Sequence, residues 1–173
     1  MSFKISETEC AIYKNYLNIK LSDDTSGGIP TISPDNTTIV YKVLSGNDNL
    51  ISIPALGGKR TVLVSGTGSV GDFAISPDNK YVVYTGNMES VNIQELFVIP
   101  IKGGVPIKLN IPFTILNDQV NKFLISPDSK TVVYSATQNN VLELFSVPIT
   151  GGASVKINTP LLSGMWDFNH TRA

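Results

Sequence analysis

Short apolar runs of four to six residues, broken by Pro, Gly, Asn and Asp, recur along this chain in a fixed order. Near the middle, Val70–Ile75 closes at Ser76-Pro-Asp-Asn79, and the β-branched and aromatic run Lys80–Tyr84 follows. Glu95–Ile99 is the next apolar run, and Pro106–Leu109 comes after the glycine pair Gly103-Gly104. Runs of this length and composition read as strands separated by turns. Pro77 presets the φ that a type I turn needs, Asn79 tolerates the left-handed conformation, and paired glycines turn without steric cost. No segment carries a helical period, so the pattern predicts an all-β chain with four antiparallel strands per unit.

The unit is written three times. Ile32-Ser-Pro-Asp35, Ile75-Ser-Pro-Asp78 and Ile125-Ser-Pro-Asp128 each lead to a β-branched pair and a tyrosine: Ile39-Val40-Tyr41, Val82-Val83-Tyr84 and Val132-Val133-Tyr134. Each then reaches Ile53-Pro-Ala-Leu-Gly-Gly58, Ile99-Pro-Ile-Lys-Gly-Gly104 or Val147-Pro-Ile-Thr-Gly-Gly152. A spacing of 43 to 50 residues marks an array of small units that bury their faces against one another. With these phrases the chain resembles the TolB-type, WD-repeat-like β-propeller repeat over about residues 29–158. That family favours Gly after Ser-Pro-Asp, where this chain has Asn36, Asn79 and Ser129. The resemblance implies a β-propeller with blades at about 29–66, 67–110 and 118–158.

The two ends complete each other in this reading. Asn18–Ser22 resembles a fourth strand, Cys10–Lys14 and Phe3–Ser6 are strand-like, and Met165-Trp-Asp-Phe168 aligns with Val70-Gly-Asp-Phe73. A composite blade from residues 1–22 and 164–170 would make residues 1–173 a single four-bladed domain without exposed sheet edges. The alternative is an incomplete propeller completed by dimerisation, so the protein is expected as a monomer or a homodimer.

Composition removes several functions. The 13 basic and 14 acidic residues include no Lys/Arg run that would follow a phosphate backbone, so no nucleic-acid partner is expected. No stretch is long and apolar enough for membrane insertion. The first residues lack a signal-peptide core, which points to the cytoplasm, or to the envelope or periplasm if an export signal was removed. Cys10 stands alone and His170 is the single histidine, so neither a metal nor a cofactor is expected, and no Ser-His-Asp hydrolase is encoded. Gly66-Thr-Gly-Ser-Val-Gly71 matches a dinucleotide fingerprint in letters, but a strand-like run follows it where a helix is required.

Function is expected on the face where the units differ. The segments Leu44–Asn49, Gly86–Gln94 and Ala136–Asn140 lie there with the crossovers between units, as variable loops on a fixed scaffold. The apolar insertion carrying Ile111, Phe113, Ile115 and Leu116 is either a partner-binding patch or a segment folded back over the blades. Asp72, Lys122 and Asp167, with Ile29 at the same position of the first unit, gather at the channel mouth as a polar ligand site or a charge pair. The leading expectation is a non-enzymatic module for a protein or peptide partner. The resemblance implies protein–protein interaction, in that family usually at the bacterial cell envelope. The alternative is a small-molecule or carbohydrate-binding propeller, with lyase or hydrolase chemistry at the channel mouth.

Overall fold

The structure is a computed structural model; it describes residues 11–14, 17–20, 30–43, 48–66, 68–89, 93–113 and 118–158. All fourteen elements among them are strands. Strands β1 (Ala11–Lys14) and β2 (Leu17–Lys20) pair as an antiparallel hairpin. The first sheet holds β3 (Thr31–Ile32), β4 (Thr38–Lys42), β5 (Asp48–Pro54) and β6 (Thr61–Ser65). The second holds β7 (Val70–Ile75), β8 (Tyr81–Gly86), β9 (Glu95–Pro100) and β10 (Ile107–Lys108). The third holds β11 (Gln119–Ile125), β12 (Thr131–Gln138), β13 (Val141–Pro148) and β14 (Val155–Lys156). Each of the three is an antiparallel meander in chain order, as the repeated phrases predict.

The Ser-Pro-Asp turns explain why the units begin as they do. Ser76 Oγ donates to Asp78 Oδ1 at 2.7 Å and accepts from the Tyr81 amide at 2.9 Å. Asp78 Oδ1 in turn accepts from the Lys80 amide at 3.2 Å. Ser33–Asp35 and Ser126–Asp128 repeat the arrangement. Asn36, Asn79 and Ser129 stand at φ of 61°, 63° and 60°, the left-handed position for which Gly is favoured. Their side chains have a use that glycine lacks. Asn79 Oδ1 accepts from the Asp35 amide at 3.1 Å, and Ser129 Oγ from the Asp78 amide at 2.9 Å, so each turn is tied to the one before it.

Strand alternation gives every sheet two apolar faces, and the sheets stack through them. Val40, Leu50 and Val64 of the first sheet share one core with Val82, Tyr84, Phe97 and Ile99 of the second. Val83, Leu96, Val98 and Leu109 on the second sheet's opposite face share another with Val132, Tyr134, Phe145 and Val147 of the third. Ser52 Oγ crosses the first boundary to the Ile101 carbonyl at 2.7 Å. The first sheet's outer face, with Ile39, Tyr41, Ile51 and Ile53, is buried against neither of the other two sheets.

The third sheet's outer face differs. Leu96 and Leu109 are 0% and 2% exposed beneath the third sheet, but their counterparts Leu144 and Ile157 are 38% and 48% exposed. Leu124, Leu142 and Val155 on the same face are exposed too. The segment Ala136–Asn140, expected as a loop, is mostly strand. Thr137 and Gln138 pair with Leu142 and Val141, and the turn is only Asn139-Asn140, at φ of 51° and 63°. Two asparagines suit a hairpin turn that needs positive φ at both central positions.

Candidate functional site

Two places reach the loop-rich face: an exposed ion pair and an open groove between two sheets. The first lies on the inner strands. In both β7–β8 and β11–β12 the register slips at matching positions, between Val70 and Phe73 and between Val120 and Lys122. Such bulges re-aim side chains. Asp72 lies within the first slip and Lys122 directly after the second, and Lys122 Nζ donates to Asp72 Oδ2 at 2.8 Å across the boundary between the second and third sheets. The hydrogen bond from Lys122 holds the Asp72 carboxyl below its ordinary pKa, against the opposing effect of burial. Lys42 Nζ, from the first sheet, donates to the neighbouring Gly71 carbonyl at 2.9 Å.

Gly71 is required there. A Cβ at this position would stand 2.5 Å from Thr85 Oγ1 and 3.1 Å from Gln94 Oε1. Thr85 Oγ1 accepts the Asp72 amide at 3.0 Å, whereas Gln94 Oε1 is buried without a hydrogen-bond partner. The structure thus joins Asp72 to Lys122 as an exposed ion pair; Asp167 and Ile29 lie outside the described residues. Lys42 was not legible as a neighbour, because it comes from the first sheet and reaches Gly71 only through stacking of the blades; Thr85 and Gln94 come from the same unit as Asp72, but the bulge that brings them to Gly71 has no sequence signal. No group of three or more His, Cys, Asp or Glu residues suited to a metal occurs among the described residues.

The second place is an open groove of about 650 Å³ between the first and second sheets, lined by Val64, Gly66, Gly68, Tyr84, Met88 and Phe97. Tyr84 stacks on Phe97 with ring centroids 5.4 Å apart. Burial raises the Tyr84 hydroxyl pKa well above its ordinary value, so the group stays protonated. No hydrogen bond to that hydroxyl occurs among the described residues. The insertion after β10 fills the equivalent place one boundary on. The Ile111 amide donates to Tyr134 Oη at 3.3 Å, and Ser154 Oγ bonds the same hydroxyl at 2.7 Å. Ile111 and Phe113 are half-buried against the core of the second and third sheets, whereas Ile115 and Leu116 lie outside the described residues. Aligning Gly66 with Ile111 is the sequence signal that would have revealed the groove.

The opposite face also has a depression, of about 430 Å³, beside Asp35, Asp78 and Lys80. Its carboxylates are already engaged by Ser33, Ser76, Thr37 and Lys80. After Gly66 the chain continues into strand β7 and no helix, so a dinucleotide phosphate has no helix N-terminus there.

Neither a protein-family model nor a curated protein sequence matches the chain. Solved structures do. TolB from Acinetobacter baumannii is 16% identical with a TM-score of 0.58, over 83% of this chain and 35% of that one. A protein assigned as TolB from Agrobacterium tumefaciens is 21% identical with a TM-score of 0.52, over 75% of this chain and 45% of that one. The β-propeller domain of the Trilobed protease from Pyrococcus furiosus is 12% identical with a TM-score of 0.56, over 79% of this chain and 43% of that domain. The chain therefore spans less than half the length of each of these structures. With three stacked four-stranded meanders, the matches show an all-β, TolB-like β-propeller fold.

Proposed function

We propose that this chain is a non-enzymatic binding module that presents its loop-rich face to a protein or peptide partner. The observation that carries the reading is the asymmetry of the two faces. On one, three nearly identical turns hydrogen-bond internally and to one another. On the other, each blade differs: a masking insertion in one place, an open groove in another, a bare ion pair between. The Asp72–Lys122 pair neutralises itself, and a carboxylate held below its ordinary pKa is a poor proton donor near neutral pH. Propellers host both binding and catalysis, so the site and not the fold favours binding. Peptides selected from a random library against the protein test this. Their affinity is expected to fall at least tenfold on substituting Met88 and Lys122 and to be unchanged by Lys102→Ala on the turn face. Selected peptides that respond only to turn-face substitutions would contradict it.

We also infer how the bare face of the third blade is covered. The chain runs inward over 8 residues from Ser65 to Phe73, and over 13 from Asn110 to Phe123. The 10 residues from Asn158 to Phe168 fall between these lengths. Phe73 and Phe123 each pack against the core shared with the preceding blade. Met165-Trp-Asp-Phe168 would do the same on Leu144 and Val133, as the inner strand of a fourth blade completed by the N-terminal hairpin. Closure by a second copy is the competing arrangement, and solution mass separates the two.

A further inference from the structure

At the rim of the groove beside Met88, the second blade holds one carboxylate more than its own lysine neutralises. We propose that this rim receives the guanidinium of an arginine carried by a basic peptide segment of the partner. The proposal rests on the binding-module reading and names the ligand chemistry for that face.

The groove is closed at its floor and polar at its rim. Tyr84, Phe97 and Val64 are 1%, 4% and 5% exposed, so no ligand side chain sinks between the sheets there. What lies open includes Ser65, Gly66, Gly104 and Glu89, the last with 54% of its side chain exposed. Lys108 Nζ stands 2.5 Å from Glu89 Oε2 and 2.7 Å from Glu95 Oε1, so two carboxylates share one ammonium. Glu95 Oε2, on a side chain only 5% exposed, has no hydrogen-bond partner among the described residues. Glu95 lies two residues before Phe97 on the same face of β9, and Phe97 lines the groove. The third blade shows the balanced form. There Glu143 and Lys156, the counterparts of Glu95 and Lys108, pair one to one.

The charge of the whole face points the same way. Across the three described blades the loop-rich side carries six acidic residues, Glu89 and Glu95 among them, against four lysines. The turn side carries five basic residues against the three turn aspartates. This polarity draws a basic segment toward the loop-rich side and away from the other. Arginine suits the rim because its planar fork pairs a carboxylate through two N–H groups. Once it holds Glu89, Lys108 is released to serve both oxygens of Glu95, and the buried oxygen gains its missing partner. The arginine stem lies along Val62 and Pro106, which are exposed in the same groove.

The test is an NMR titration with a synthetic Gly-Ser-Arg-Ser-Gly peptide, against a control in which citrulline keeps the shape of arginine and loses its charge. Saturable amide shifts centred on Ser65, Gly66, Gly68 and Glu89 are expected for the arginine peptide. The citrulline peptide should bind about tenfold more weakly, the worth of a charged hydrogen bond. Glu89→Gln, at a side chain too exposed to endanger the fold, is expected to weaken arginine-peptide binding about fivefold. Glu143→Gln, at the next boundary, should leave it unchanged. Equal affinity for both peptides, shifts centred elsewhere, or equal losses in the two variants overturns the proposal. Library-selected peptides that bind the loop-rich face without any basic residue would overturn it too, while leaving the binding-module reading intact.

Discussion

Ser33, Ser76 and Ser126 each close a turn from inside, because one hydroxyl serves an aspartate and the amide five residues on. Ser76→Ala leaves the Tyr81 amide and Asp78 without that partner, and is expected to cost about 1–3 kcal/mol in urea unfolding. The serine hydroxyls are also the largest cause of the lowered pKa values of Asp35, Asp78 and Asp128. A folded pKa below the unfolded value of about 3.9 adds stability that is full above that pH and is lost as pH falls through the folded value. The urea midpoint should therefore fall on acidification below about pH 4, and replacing all three aspartates by Asn should flatten that fall. At position 129, Ala keeps the left-handed strain and loses the tie to Asp78, whereas Gly loses only the tie. Ser129→Gly should be the more stable variant by roughly 1 kcal/mol. The turn residues were legible one by one; the ties between blades were not, because they link residues 44 and 51 positions apart.

The strands themselves followed from run length and turn chemistry. Val70–Ile75 forms as expected, and Glu95–Ile99 is extended only by Pro100. The hairpin at Asn139-Asn140 was misread as a loop, since Ala136 and the two asparagines carry weak strand preference, and Ala136–Gln138 gain their pairing from Val141–Glu143. Packing between elements decides energies at this scale. Leu96→Ala opens a cavity between the second and third blades and is expected to cost about 2–5 kcal/mol by urea unfolding. Lys122→Ala breaks an exposed pair and should change stability by less than about 1 kcal/mol. The candidate ion pair was legible because Asp72 and Lys122 hold the same place in successive repeats. The groove was not, since its openness depends on what Gly66 fails to fill.

At the scale of the whole molecule, blades bury one another in sequence, and the chain is stable only if each apolar face finds cover. The repeat period made that architecture legible from the residues. For the cover of the third blade the sequence offers Met165-Trp-Asp-Phe168, which aligns with Val70-Gly-Asp-Phe73 and lies outside the described residues. Leu144 and Ile157 are the residue types that Leu96 and Leu109 use beneath a following blade, yet they stand exposed on the third. Trp166 is the chain's single tryptophan, and it belongs to the segment assigned to that cover. Acrylamide quenching of its fluorescence in the folded monomer tests the shared blade directly. Emission shielded from acrylamide, becoming accessible only on unfolding, is the predicted result. A tryptophan as accessible in the folded monomer as in the denatured chain would contradict it.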